Sequence, residues 1–182
     1  MSAFLVVCTG NICRSPLGEA FLRRGLAADG AHEVASAGTD ARDGDPAMEG
    51  SLVAGAERGV DLAAHRARRL TVGQVRDADL VLAMERHHRD AILRAAPDAS
   101  ERTYTLKELV LLLETDGAAA GPLPARLAAA AARRGDVAGA DLDVADPYGE
   151  ALDAYRDTAD EIATWTDRLV GALAGLPAGG RA

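Results

Sequence analysis

Aromatic side chains are scarce in this chain: three tyrosines, two phenylalanines and one tryptophan among 182 residues. The 48% of hydrophobic residues are mostly alanine, leucine and valine, so the core they build is aliphatic. Positive charge is also short. The formal net charge is −8, which excludes nucleic acid or an anionic membrane surface as a general partner and makes any phosphate recognition local. Lysine is nearly absent, with Lys107 alone among 20 basic residues, and with so much alanine this points to a GC-rich bacterial genome. No uncharged apolar stretch is long enough to span a bilayer, and the first residues carry no basic leader. These absences predict a single cytoplasmic domain with room for a substantial core. Only two cysteines occur, Cys8 and Cys13, too close together to staple a fold of this size. His87-His88 lacks a spaced set of partner ligands, so it reads as the exposed start of a helix rather than a metal site. Neither metal nor cofactor is expected.

What is present begins at the amino terminus. Residues 4–7, Phe-Leu-Val-Val, read as a short buried strand, and Pro16 suits the first position of a helix carrying Leu17, Ala20, Phe21 and Leu22. Between them lies Cys8-Thr9-Gly10-Asn11-Ile12-Cys13-Arg14-Ser15. A loop opening onto a helix N-terminus turns unpaired N–H groups and the positive end of the helix dipole toward its concave side, which favours an anion and a thiolate alike. The thiolate is the nucleophilic form of cysteine. Arg14 adds a planar fork that matches two phosphoryl oxygens and grips them as they spread during transfer. Gly10 lets the backbone turn its amides inward, Asn11 tolerates a left-handed conformation, and Ser15 can donate to the sulfur.

This loop resembles the signature of the low-molecular-weight protein tyrosine phosphatases. The resemblance continues through Ser36-Ala-Gly-Thr39, Asp45-Pro46, His65-Arg-Ala-Arg68, Asp79-Leu-Val-Leu-Ala-Met84 and Asp146-Pro-Tyr148, in the family's order, and spans residue 3 to about 170. It implies hydrolysis of protein phosphotyrosine through a cysteinyl-phosphate intermediate, with no metal or other cofactor. Cys8 would be the nucleophile, Arg14 the phosphate clamp, and Thr9, Gly10, Asn11, Ile12, Cys13 and Ser15 the remainder of the phosphate cup. A tyrosine oxygen has a reference pKa of ~10, so expelling it unprotonated at neutral pH costs about 4 kcal/mol. Asp146 matches the family's general acid, stiffened by Pro147. Tyr148 either walls the pocket and stacks on a substrate ring or packs beneath the loop. Asn11, Ser15, Ser36 and His65 correspond to a hydrogen-bond network that supports the loop and the sulfur.

The resemblance leaves alternatives. A protein-arginine phosphatase branch resembles this chain closely but carries threonine where Ile12 stands, and the apolar Ile12 suits a phenyl ring better. The related thioredoxin-coupled arsenate reductases relay oxidation through further cysteines, and no cysteine follows Cys13. A non-catalytic phosphate-binding module would not need Cys8, Arg14 and an acid together. Cys13 either packs under the loop or traps an oxidised Cys8 as a disulfide.

Along the chain, strand 4–7, helix 16–28, strand 33–36, helix 46–59, strand 79–84, helix 86–95, a short strand at 103–106 and a long helix 150–174 alternate. The expected fold class is therefore α/β: a four-stranded, twisted parallel sheet with helices on both faces, the phosphotyrosine protein phosphatase I-like architecture, in a domain of residues 1–176. Ligands of such sheets bind beyond the strand carboxyl ends, where Cys8 falls. The last helix presents Leu152, Tyr155, Ala159, Ile162, Ala163, Leu169 and Leu173 at near-helical spacing. Residues 117–143 read as an insertion, a short alanine-rich helix between flexible connections, which is either a tolerated surface insertion or a segment that shapes access to the site ahead of Asp146. Residues 177–182 read as a disordered tail.

Overall fold

A computed structural model describes residues 2–27, 32–115 and 121–174. The expected tail at 177–182 lies outside the described residues. Four strands, β1 (Ser2–Cys8), β2 (His32–Gly38), β3 (Leu80–Ala83) and β4 (Thr103–Thr105), form one parallel sheet in the order β2-β1-β3-β4. Parallel strands buried on both faces are near-continuous apolar runs, and β1 is one: Phe4 through Cys8 are all buried. Alternation then sorts them. Phe4, Val6 and Cys8 face a large core with Leu80 and Leu82, while Leu5 and Val7 face a smaller one with Val81 and Ala83.

Helices cover both faces, as the alternation predicts. The larger core takes Leu17, Phe21 and Leu22 of α1 (Arg14–Gly25), Ala54 of α2 (Glu49–Glu57) and the stripe Tyr155, Ala159, Ile162, Leu169 and Leu173 of α7 (Leu152–Ala174). Val75 of α3 (Val72–Asp77) and Ile92 of α4 (Arg86–Ala95) close the other face. Leu152, expected on the buried stripe, is exposed at the very start of α7. The first helix begins two residues earlier than expected, at Arg14, so Pro16 occupies its third position. That position suits proline equally, because first-turn N–H groups have no partner within the helix.

Two helices stand where none is expected from the sequence. Both α3 and α5 (Leu106–Glu114) begin with reciprocal capping boxes, Thr71 with Gln74 and Thr105 with Glu108. The alanine-rich segment forms α6 (Leu123–Ala132), which packs one side inward. Leu127 and Ala130 are core residues, and the Leu127 carbonyl accepts a hydrogen bond from the Tyr104 hydroxyl at 2.5 Å. Among the described residues no helix is long and apolar enough to cross a membrane.

Candidate active site

The carboxyl ends of β1, β2 and β3 meet at one edge, with Cys8 paired to Gly38 and Val7 to Ala83. The chain leaving β1 curls from Cys8 to Arg14 and enters α1 directly. A Cβ at Gly38 would lie 2.5 Å from the Thr9 carbonyl oxygen and 2.8 Å from the Asn11 nitrogen, so only glycine lets the loop lie this close to β2. Asn11 is the one non-glycine residue with positive φ, at 54°, among the described residues. Its carbonyl accepts from His65 Nε2 at 2.7 Å, and its side-chain oxygen accepts from the Arg68 backbone N–H at 2.8 Å.

The Asn11 side-chain amide also donates, to Ser15 Oγ at 2.9 Å and to Ser36 Oγ at 2.8 Å. Because Ser15 accepts there, its own proton is left for another partner. Cys8 Sγ lies 3.0 Å away, against 3.5 Å for the Ala37 carbonyl oxygen. Ser15 therefore donates toward the sulfur, a contact that strengthens as the thiol ionises. Ser36 passes its proton on to Glu19, a partner the sequence reading missed.

Cys8, Thr9, Gly10, Ile12, Cys13, Arg14, Asp40, Asp146 and Tyr148 line a cavity of about 330 Å³. Arg14 is only 1% exposed. Its NH1 donates to Glu85 and to the Val144 carbonyl oxygen at 2.9 Å, and its NH2 donates to Asp146 Oδ2 at 2.7 Å. Its Nε is buried without a protein partner. A buried guanidinium N–H with no acceptor is costly unless an anion completes it, and an anion in the cup beside Cys8 would do so. Glu85 was not recognised from the sequence. Its signal was position, since it stands two residues past β3 at the ligand end of the sheet.

The other expected residues fall as follows. Tyr148 is 62% exposed at the cavity mouth and does not pack beneath the loop. Cys13 is buried, and burial, reinforced by Asp146 and Cys8, pushes its thiol up to about 12. Both cysteines are free thiols. His88 departs from expectation: it is fully buried, with Nε2 2.8 Å from Thr9 Oγ1. Packing of α4 against the sheet, invisible in a polar His-His pair, buries it. Glu85, His87 and His88 bring one ligand-type atom each within 4.8 Å. Glu85 is engaged with Arg14, His87 Nδ1 lies 3.1 Å from Glu85, and His88 Nε2 is bonded to Thr9.

Residues 3–119 match the family model described as low molecular weight phosphotyrosine protein phosphatase. The chain belongs to that family. The low-molecular-weight phosphatases are cysteine-dependent hydrolases, and the relatives divide by name between two substrates. A protein-arginine-phosphatase of Geobacillus stearothermophilus is 34% identical over 169 residues, covering 91% of each chain. A probable low molecular weight protein-tyrosine-phosphatase, AmsI of Erwinia amylovora, is 42% identical over 103 residues, covering 57% of this chain and 69% of its own. Among solved structures, the tyrosine phosphatase Wzb from Escherichia coli K30 in complex with sulphate superposes with a TM-score of 0.73 at 28% identity, covering 95% of this chain and 99% of that one.

Proposed function

We propose that this chain is a protein-tyrosine phosphatase working through a cysteinyl-phosphate intermediate in the bacterial cytoplasm. The observation that carries the reading is the convergence of Cys8, the buried Arg14 and Asp146 on one cavity, with Arg14 Nε left without a protein partner. A phosphoryl group seated on the loop amides and Arg14 presents phosphorus to Cys8 Sγ. The sulfur attacks in line, the P–O bond to tyrosine breaks, and Asp146 delivers its proton to the leaving oxygen. Arg14 holds the equatorial oxygens as charge spreads over them. In the second step the Asp146 carboxylate takes a proton from water, the water oxygen attacks phosphorus, and Cys8 leaves as a thiolate that Ser15 stabilises. Thr9, Gly10, Asn11, Ile12 and Cys13 shape the cup, while Ser36 and His65 hold Asn11. Residues 1–176 act as one domain, and residues 117–143 do not enter the chemistry.

Phosphotyrosine is favoured over phosphoarginine by Ile12, an apolar side chain lining the cavity that suits a phenyl ring, and by exposed Tyr148 beside it. The arginine reading draws support from the arginine-phosphatase relative that matches over nearly the whole length. Turnover of phosphotyrosine, phosphoarginine and phosphoserine peptides side by side decides between them. Preferred hydrolysis of phosphoarginine would reverse the assignment. Cys8→Ser should bind phosphate and show no turnover; residual steady-state hydrolysis by that variant would remove Cys8 from the nucleophile's role.

A further inference from the structure

His88 takes no part in the reaction outlined above, yet it is fully buried and reaches the second residue of the loop. Burial, with His87 and Arg14, holds its pKa down to about 3, so at neutral pH the ring carries one proton. That proton has two possible places. On Nδ1 it would be an orphaned N–H, because Nδ1 is buried without a partner. On Nε2 it finds Thr9 Oγ1 at 2.8 Å and leaves Nδ1 an unpaired acceptor, which burial tolerates better than an unpaired donor. The second tautomer is the favourable one. In it Thr9 accepts from the ring, so the threonine's own hydroxyl proton is unspent, and Thr9 lines the cavity beside Cys8.

We propose that His88 is a positioning residue whose Nε2–H fixes the Thr9 hydroxyl, leaving the threonine proton for an oxygen of the bound phosphoryl group. This inference rests on the phosphatase reading, and turnover of an aryl phosphate by the unaltered protein tests that reading separately. One hydrogen bond of this kind is worth about 1 kcal/mol, a factor of roughly five to ten.

The variants are His88→Met, which keeps volume and loses the donor, His88→Gln, whose amide nitrogen reaches the Nε2 position, and Thr9→Val. Each is measured for kcat, KM, inhibition by inorganic phosphate and thermal unfolding. His88→Met and Thr9→Val should each lose about five- to tenfold in kcat/KM, and phosphate should inhibit both more weakly. His88→Gln should recover most of the loss while melting no higher than His88→Met, which separates positioning from packing. The double variant His88→Met/Thr9→Val should be no worse than its poorer parent, since both changes remove one interaction. Multiplied losses in the double variant, or equal impairment of His88→Met and His88→Gln, overturn the proposal.

Discussion

Replacing Asp146 with alanine removes a proton donor and, at the same stroke, a carboxylate oxygen 2.7 Å from Arg14 NH2. The two losses act in opposite directions, which makes the variant informative. Without the donor, a tyrosine oxygen of pKa ~10 must leave as phenolate, at a cost near neutral pH of about 4 kcal/mol, or roughly 10³ in kcat. A nitro-substituted phenol is a far better leaving group and should suffer no more than about tenfold. Binding should move the other way. The Asp146 side chain is 41% exposed, so solvent screening discounts its pairing with Arg14 to about 1 kcal/mol. Removing it frees one guanidinium nitrogen and takes a negative charge from the cup, so inhibition by inorganic phosphate should tighten by roughly three- to tenfold. The assay is steady-state turnover across aryl phosphates of graded leaving-group acidity, with phosphate as competitive inhibitor. A flat loss across the series would take Asp146 out of the acid's role; weakened phosphate inhibition would show that its pairing with Arg14 helps rather than competes.

Two further outcomes follow from the site. Cys13 holds its proton in the folded state up to about pH 12, whereas an unfolded thiol ionises near the ordinary value of 9.0. Stability from this group is complete below about pH 9 and is lost as pH climbs toward 12, so melting temperature should fall over that window less steeply in Cys13→Ser; parallel curves would contradict the assignment. Tyr148→Ala should raise KM for aryl phosphates about three- to tenfold and leave inhibition by inorganic phosphate unchanged, because an exposed ring at the mouth meets the substrate's ring and not its phosphate. Equal changes in both would assign Tyr148 to the shape of the cup instead.

The cup was legible because its chemistry is local: Cys8 and Arg14 lie on one short loop whose ends are fixed by a strand and a helix, so spacing stood in for geometry. The sheet was legible through alternation. The misses share a cause, which is dependence on partners distant in sequence. Glu85 and the Val144 carbonyl group meet Arg14 across 71 and 130 positions, and His88 meets Thr9 across 79. No periodicity encodes those meetings. The helix α5 is a different kind of miss, since its start is advertised locally by Thr105 and Glu108 and its Leu106, Leu109, Val110 and Leu113 fall at helical spacing, but the stretch up to 106 also reads as a strand and the helix follows β4 with no turn between them. The alanine-rich α6 was legible as a helix but its packing was not, because alanine reads as neutral filler until a neighbour such as Tyr104 is placed against it.

The loop's shape is cast against its surroundings and is not its own. Gly38 yields the space, Ser36, His65 and Arg68 pin Asn11, and Glu85 and Val144 aim the guanidinium, so four separate stretches of chain act as the mould. Transplanting the loop Cys8–Ser15 onto another strand–helix junction would carry over its nucleophile and leave its catalytic power behind. Drift elsewhere in the protein is free to go far so long as those few walls keep their contour.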